Sequence, residues 1–380
     1  KRRAKRVPPR AFEFFVKGTQ TPAMKSREIF FKRAIREYNE AESVGHYAAA
    51  LYELGLVQYQ QKNYAEAAKQ FRELVKDDPR YWESQFYLGL AANALGQQQE
   101  AVEVYDRLAS ALPLVEVLNN AGALQIGKGD AGRAISYLQR AATSAQKDVN
   151  VRFNYGYALW KDKKFEAAVT ELQAAVSLNS KDGEAQYLLA DSLLALGKKT
   201  ESDQADQEAR RLLSSNNTYA QWKTRPDKMP MLARFKTEYN RANFYWLSRQ
   251  RTSTTNLPPA QTRLALQSLE RARQLVQEKS DDGALTELQK VLNNDPTLAE
   301  AHFLRAQILQ RRNDVEGALS AYAAAVYWNP RLLGAHIALS KLYLGRGDRA
   351  RALTHSRTAL ELDAQNAEAL AVMRQLETVK

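Results

Sequence analysis

The residues most suggestive of chemistry lie between Gly122 and Gly132, in the stretch GALQIGKGDAG. Gly127-Lys128-Gly129-Asp130-Ala131-Gly132 spells G-x-G-x-x-G, the spacing with which a dinucleotide-binding turn brings main chain up to a pyrophosphate. Gly122 to Lys128 also approximates a phosphate-cradling loop, but Gly129 stands where that loop needs a Ser or Thr hydroxyl. His302 and His336 form a second candidate, since they recur at the same place in neighbouring stretches and are expected to approach each other. Two imidazoles fall short of the three or four ligands that zinc normally takes. The chain has no cysteine, which excludes disulfides and thiolate metal sites. Carboxylates are plentiful, yet none forms an isolated pair in an apolar run, and no Ser or Cys nucleophile motif occurs. Whether any of this is chemistry depends on the elements that carry it.

Those elements repeat. LYELGLVQYQQKNYAEAAKQFRELVKDDP (Leu51 to Pro79) and QFYLGLAANALGQQQEAVEVYDRLASALP (Gln85 to Pro113) share Leu-Gly, a turn, an alanine, an aromatic and a final proline. From Gly55 the small residue recurs at Gly89, Gly122, Gly156 and Ala190, in steps of 34, 33, 34 and 34, and again at Ala272, Ala306 and Ser340. A second small column runs Ala67, Ala101, Ala134, Ala168, Ser202, Ala284, Ala318 and Ala352. The two columns are where the helices of a hairpin touch, because a larger side chain there forces the backbones apart. Phe71, Tyr105, Leu138, Leu172, Leu288 and Tyr322 fill the space between hairpins. Pro79, Pro113, Pro296 and Pro330 stop the second helix of their units. No stretch alternates with period two, so no sheet is expected.

In this register the glycine motif loses its nucleotide. Gly122 is the small contact residue of the third unit, and Gly129-Asp130 is its turn, aligned with Lys62-Asn63, Gly96-Gln97 and Gly347-Asp348. A dinucleotide loop follows a strand, and this stretch follows a helix. Arg346-Gly347-Asp348, tempting as an adhesion signal, is likewise a turn. The two histidines read as packed core imidazoles. We therefore expect no catalytic residue, no cofactor and no metal.

The pattern resembles the tetratricopeptide repeat family, with eight units at 48–81, 82–114, 115–148, 149–182, 183–216, 265–298, 299–332 and 333–366. The resemblance implies an all-α fold, an α-solenoid superhelix of helix-turn-helix repeats in two stacked modules. Residues 1–10 are then a basic linker and 11–47 a degenerate leading hairpin. The first module of five repeats spans 48–216, and 217–264 hold a capping helix and a hinge. The second module, three repeats and a solvating C-terminal helix, spans 265–380. Leu232, Phe235, Tyr239, Ala242 and Trp246 recur at steps of three and four, which predicts the capping helix. Arg251 to Gln261 reads as the hinge. Ser202, Asp206 and Ser356 depart from the family pattern and predict looser packing there.

Members of the family are non-catalytic scaffolds that hold protein or peptide segments in a concave groove lined by the first helix of each unit. Carried onto this sequence, that groove includes Tyr52, Tyr59, Phe86, Asn119, Phe153, Tyr157, Trp160 and Tyr187. The Lys and Asn clamp with which chaperone-tail-binding members grip a terminal carboxylate is absent, since Tyr52, Leu56 and Tyr87 stand in its place. In the second module, Arg273, Gln307, Gln310 and Lys341 make the corresponding groove polar. The expected occupants are partner segments, or an upstream region of the same chain, since the sequence begins without Met. The formal charge of +12 and pI near 9.6 support an alternative: a basic tether to nucleic acid or an anionic membrane surface. No base-reading motif accompanies that charge, so nucleic acid is the weaker expectation. Composition fits a soluble chain of cytoplasm or periplasm, without signal segment or membrane span.

Overall fold

Eight places along the chain require the same backbone contortion, and they mark the architecture. Lys62, Gly96, Gly129, Lys163, Gly197, Lys279, Asn313 and Gly347 all have positive φ, each at the same position between the two helices of its unit. Glycine supplies that conformation without steric cost at four of the eight; a side chain there works against about 1–2 kcal/mol. The computed structural model describes residues 7–41, 45–76, 78, 80–241, 244, 259–294 and 298–378. Among them every regular element is helical, with no strand. All eight expected units are helix pairs, from Ala48–Gln60 with Tyr64–Arg72 to Leu333–Gly345 with Arg349–Leu362, and Ala367–Thr378 follows as a last helix. Asp130, Asp182, Asp314 and Asp348 cap the helices behind them by accepting a main-chain N–H. This is the architecture of an α-solenoid of helix hairpins.

The small columns do what the spacing implies. A Cβ on Gly89 would lie 2.4 Å from the Tyr105 ring, one on Gly122 would lie 2.4 Å from Leu138, and one on Gly156 would lie 2.6 Å from Leu172. Tyr105 is fully buried and donates its hydroxyl to the Phe86 carbonyl at 2.9 Å, so it has no room to retreat. Gly89→Ala is therefore expected to destabilise its unit by about 1–3 kcal/mol, read as a lower denaturant midpoint with an unchanged slope. An unchanged midpoint would mean that the helices do not touch there.

By contacts the chain forms two compact units that do not follow chain order. Residues 59–72 and 81–240 make one; those within 1–58, 73–80 and 241–380 make the other. In the second of these, the leading hairpin Pro9–Gln20 and Met24–Glu40 packs with C-terminal residues. Phe15 meets Phe31, Tyr47 and Tyr327 at ring distances of 6.0, 5.5 and 5.3 Å. Arg80, buried in the same unit, lies 4.1 Å over the Tyr327 ring and donates to the Tyr327 carbonyl.

The repeat-free stretch departs from expectation. A short helix, Thr218–Thr224, covers the end of the fifth repeat, with Trp222 edge-on to Tyr187 at 5.3 Å. Of the residues that break the family pattern, Asp206 holds it in place and Ser202 ties the two helices of its own repeat together. Asp206 accepts the Tyr219 hydroxyl and pairs with Lys223 at 2.8 Å, while Ser202 donates to the Ala190 carbonyl at 2.8 Å. The stripe Leu232, Phe235 and Tyr239 does not form a helix: residues 231–240 take no helix, strand or turn. The repeats supply these residues with main-chain partners that a helix would have found internally. Ala242 and Trp246 lie outside the described residues, as do residues 251–258 of the expected hinge.

Candidate functional site

The extended residues 231–240 lie along the first helices of repeats two to five, within the unit formed by residues 59–72 and 81–240. Two asparagines hold them by main chain alone. Asn154 accepts the Arg234 N–H at 2.8 Å and donates to the Arg234 carbonyl at 2.7 Å. One repeat earlier, Asn120 accepts the Lys236 N–H at 2.7 Å and donates to the Lys236 carbonyl at 2.8 Å. A carboxamide offers one acceptor and two donors, so it can mimic the edge of a neighbouring strand. Alternate residues of an extended chain present their N–H and C=O in one direction, and alternate residues are the ones gripped here. Asn119 adds a second donor to the Arg234 carbonyl, at 2.8 Å, and braces Asn154 by accepting its amide at 2.9 Å. All three asparagine side chains sit in fully buried residues.

Carboxylates read the side chains. Arg234 reaches Asp182 through both terminal nitrogens, at 2.6 and 2.7 Å, and Glu184 at 2.8 Å. Its guanidinium lies 3.4 Å over the Phe153 ring. Burial opposes its charge, but the two carboxylates outweigh that and hold its pKa above the usual value. Lys236 pairs with Asp148 at 2.5 Å. At one end the buried Leu232 packs in the same apolar cluster as Tyr157. At the other, Tyr239 packs edge-on to Phe86 at 5.0 Å and beside Tyr87 at 5.8 Å, and Glu116 accepts the Asn240 N–H at 3.2 Å. The segment thus runs from the fourth and fifth repeats towards the second, opposite to the order of the helices.

Four of the eight expected groove residues, Phe86, Asn119, Phe153 and Tyr157, meet the segment directly. Trp160 stacks on Tyr157 and donates to Asp191 at 2.7 Å. Tyr187 is covered by the helix Thr218–Thr224 through Tyr219 and Trp222. Tyr59 packs with Tyr64 and Tyr87. Tyr52 belongs to the other compact unit, where it is buried beneath Arg80. Sequence reasoning missed Asn120 and Asn154. Their signal was a polar residue at one position in successive repeats, on the buried side of an otherwise apolar helix.

The glycine motif is explained without a nucleotide. Gly122 clears Leu138, Gly129 closes its helix in the left-handed conformation, and a Cβ on Gly127 would lie 2.8 Å from the Met231 sulfur. His336 has a different companion from the one expected. Its Nδ1 lies 3.1 Å from Nδ1 of His355, in the second helix of the same repeat, while its Nε2–H donates to the Pro330 carbonyl at 3.1 Å. His302 instead stacks with Phe12 at 6.3 Å. Among the described residues no group of three or more His, Cys, Asp or Glu side chains could hold a metal, and no helix is long and apolar enough to cross a membrane.

Comparison with known proteins places the helix hairpins. Two family models, both described as tetratricopeptide repeat, match this chain, one at residues 30–75 and 52–114 and the other at 125–191. No curated protein matches it. Among solved structures, MamA residues 41 to end from Desulfovibrio magneticus RS-1 is 20% identical with a TM-score of 0.41, over 45% of this chain and 97% of that one. YrrB, described as a TPR protein with an unusual peptide-binding site, is 15% identical with a TM-score of 0.45, over 51% of this chain and 97% of that one.

Proposed function

Because the chain belongs to the tetratricopeptide repeat family, we propose that it is a non-catalytic interaction scaffold whose groove in residues 81–240 captures partner segments in extended form. One observation carries this reading: Asn120 and Asn154 each satisfy both main-chain groups of one residue in an extended strand, two residues apart. Buried carboxamides aimed at main chain are costly when unpaired. They are of use to a surface that receives backbone irrespective of its sequence. The aromatic rings of Phe86, Phe153 and Tyr157 then add apolar contact around that backbone, and Asp148, Asp182 and Glu184 add preference for cations.

The alternative of a basic tether draws on the basic residues of the first ten positions and on those between Lys223 and Arg251. Lys223, Arg234 and Lys236 are each paired with carboxylates of their own unit. That pairing removes three cations from the field a phosphate surface would feel, and it favours the scaffold.

The test is an array of peptides of varied sequence, probed with the wild-type chain and with Phe153→Ala. Removing a buried ring that carries a stacked guanidinium is expected to weaken capture tenfold or more. Equal binding of the same peptides by both chains would move the capture site away from this groove.

A further inference from the structure

We propose that residues 231–240 are an exchangeable internal ligand that keeps the groove closed, and that its competitor is an extended segment of a partner with the same chemistry. That chemistry is an apolar residue, a cation two residues on, a second cation two further on and an aromatic ring three beyond it, as in Leu232, Arg234, Lys236 and Tyr239. The inference rests on the groove reading above and adds what the groove prefers and how access to it is controlled.

Three observations carry it. First, the segment contributes little to the core of its unit. Leu232 is its one buried residue, whereas Met231, Thr237, Glu238 and Asn240 are exposed and the rest are intermediate. The apolar area that would hold it permanently is therefore small. Second, the bonds that do hold it are of kinds water or another peptide replaces: main-chain hydrogen bonds, each contributing about 0.5–1.5 kcal/mol net, and partly exposed ion pairs. Third, the acidic residues sit in register with the asparagines. Asp182 and Glu184 meet the side chain of the residue held by Asn154, and Asp148 meets that of the residue held by Asn120. Main-chain grip and charge preference thus fall on the same two residues, so a foreign strand with cations at that spacing satisfies both. Because the internal segment is tethered, it competes at an effective concentration on the order of millimolar, and a partner must exceed that advantage or arrive when the tether is pulled away.

The experiment uses a fluorescent peptide of sequence LARFKTEYN, residues 232 to 240, titrated by anisotropy into three full-length chains. They are the wild type, the double variant R234A/K236A, and a chain in which residues 231–240 are replaced by a Gly/Ser linker of the same length. Peptide binding is expected to be at least tenfold tighter to both altered chains than to wild type. A peptide with both cations replaced by alanine is expected to bind the altered chains at least tenfold more weakly than the parent. The linker chain guards against a folding defect: its helical circular dichroism is expected to match wild type, and a large loss of helix there would show that the segment is structural and overturn the inference. Equal affinity for wild type and altered chains would overturn internal competition while leaving the groove reading intact. No binding to the folded linker chain would overturn both. Indifference to the two cations would overturn the stated partner chemistry. A wild-type dimer that dissolves on adding peptide would assign the groove to a second copy's segment and overturn a foreign partner.

Discussion

Replacing Asn120 and Asn154 together by alanine is expected to free residues 231–240 from their groove. The two carboxamides supply four main-chain hydrogen bonds, to Arg234 and Lys236. At about 1 kcal/mol net for each, their loss costs roughly 4 kcal/mol, close to a thousandfold in the ratio of seated to released segment. The measurement is amide hydrogen exchange at Arg234 and Lys236, whose N–H groups are protected while the asparagines accept them. In the double variant both are expected to exchange as in an open chain. Asn120 also donates to the Tyr105 hydroxyl at 2.9 Å, so its removal disturbs the repeat core as well. Asn154→Ala alone separates the two effects: it should speed exchange at Arg234 far more than it lowers the melting temperature. Retained protection at both residues in the double variant would show that the carboxamides do not hold the strand.

Acid is expected to weaken the C-terminal repeats sharply, through His336 and His355. Burial pushes the His336 pKa down from 6.5 to about 4 and that of His355 to about 3, with Arg241 and Arg351 adding repulsion at the latter. The hydrogen bonds require neutral rings. The His336 Nε2–H is committed to the Pro330 carbonyl, so its bare Nδ1 accepts the Nδ1–H of His355. Protonating His336 sets its new Nδ1–H against the Nδ1–H of His355, and protonating His355 puts a charge where burial and the nearby Arg241 and Arg351 oppose it. In the unfolded chain both imidazoles take up protons near pH 6.5, so the unfolded state binds more protons wherever the folded rings stay neutral. The contribution is therefore complete above about pH 6.5 and is lost as the pH falls through that value towards 4. One pKa unit corresponds to 1.36 kcal/mol, and the loss by pH 4 is expected to be about 3 kcal/mol or more. Denaturant melts of wild type and of His355→Phe between pH 7 and 4 measure it. Phenylalanine keeps a ring against Tyr343, which His355 stacks on at 5.7 Å, without a titrating nitrogen. If the two chains lose stability equally over this range, the imidazole pair is not the acid-sensitive element.

Much of this architecture was legible in the residues. The glycine and alanine columns are spaced by hairpin contact, and contact leaves a residue-level trace because one methyl group too many is felt. The same register set Gly122 to Gly132 within a helix hairpin and put Phe86, Asn119, Phe153 and Tyr157 on the first helices of their repeats. What stayed hidden was the conformation of residues 231–240. Their apolar spacing of three and four is the signature of a helix, yet spacing is only a statement about which side chains share a face. An extended segment lays the same residues along the repeats when carboxamides of successive repeats complete the backbone of residues two positions apart. Asn120 and Asn154 carried that information, as polar residues where the repeat asks for apolar ones, and their purpose is visible only with the strand in place. The grouping of Phe15 with Tyr327 had no local trace at all, because nothing in either segment's own pattern names the other.

That grouping has a consequence for biosynthesis. Residues 59–72 and 81–240 leave the ribosome with only residues 73–80 between them and can complete their unit as they emerge. The other unit is interrupted: Phe14, Phe15, Phe31 and Tyr47 are made first, and Tyr327 and Trp328, which share their apolar cluster, follow roughly 300 residues later. At 5–20 residues per second that interval is about 15–60 s. For that time the nascent chain displays an aromatic patch with part of its cover not yet translated. The early aromatic hairpin is the stretch on which a ribosome-associated chaperone has the longest purchase, and the one where a slow codon run downstream lengthens the exposure most.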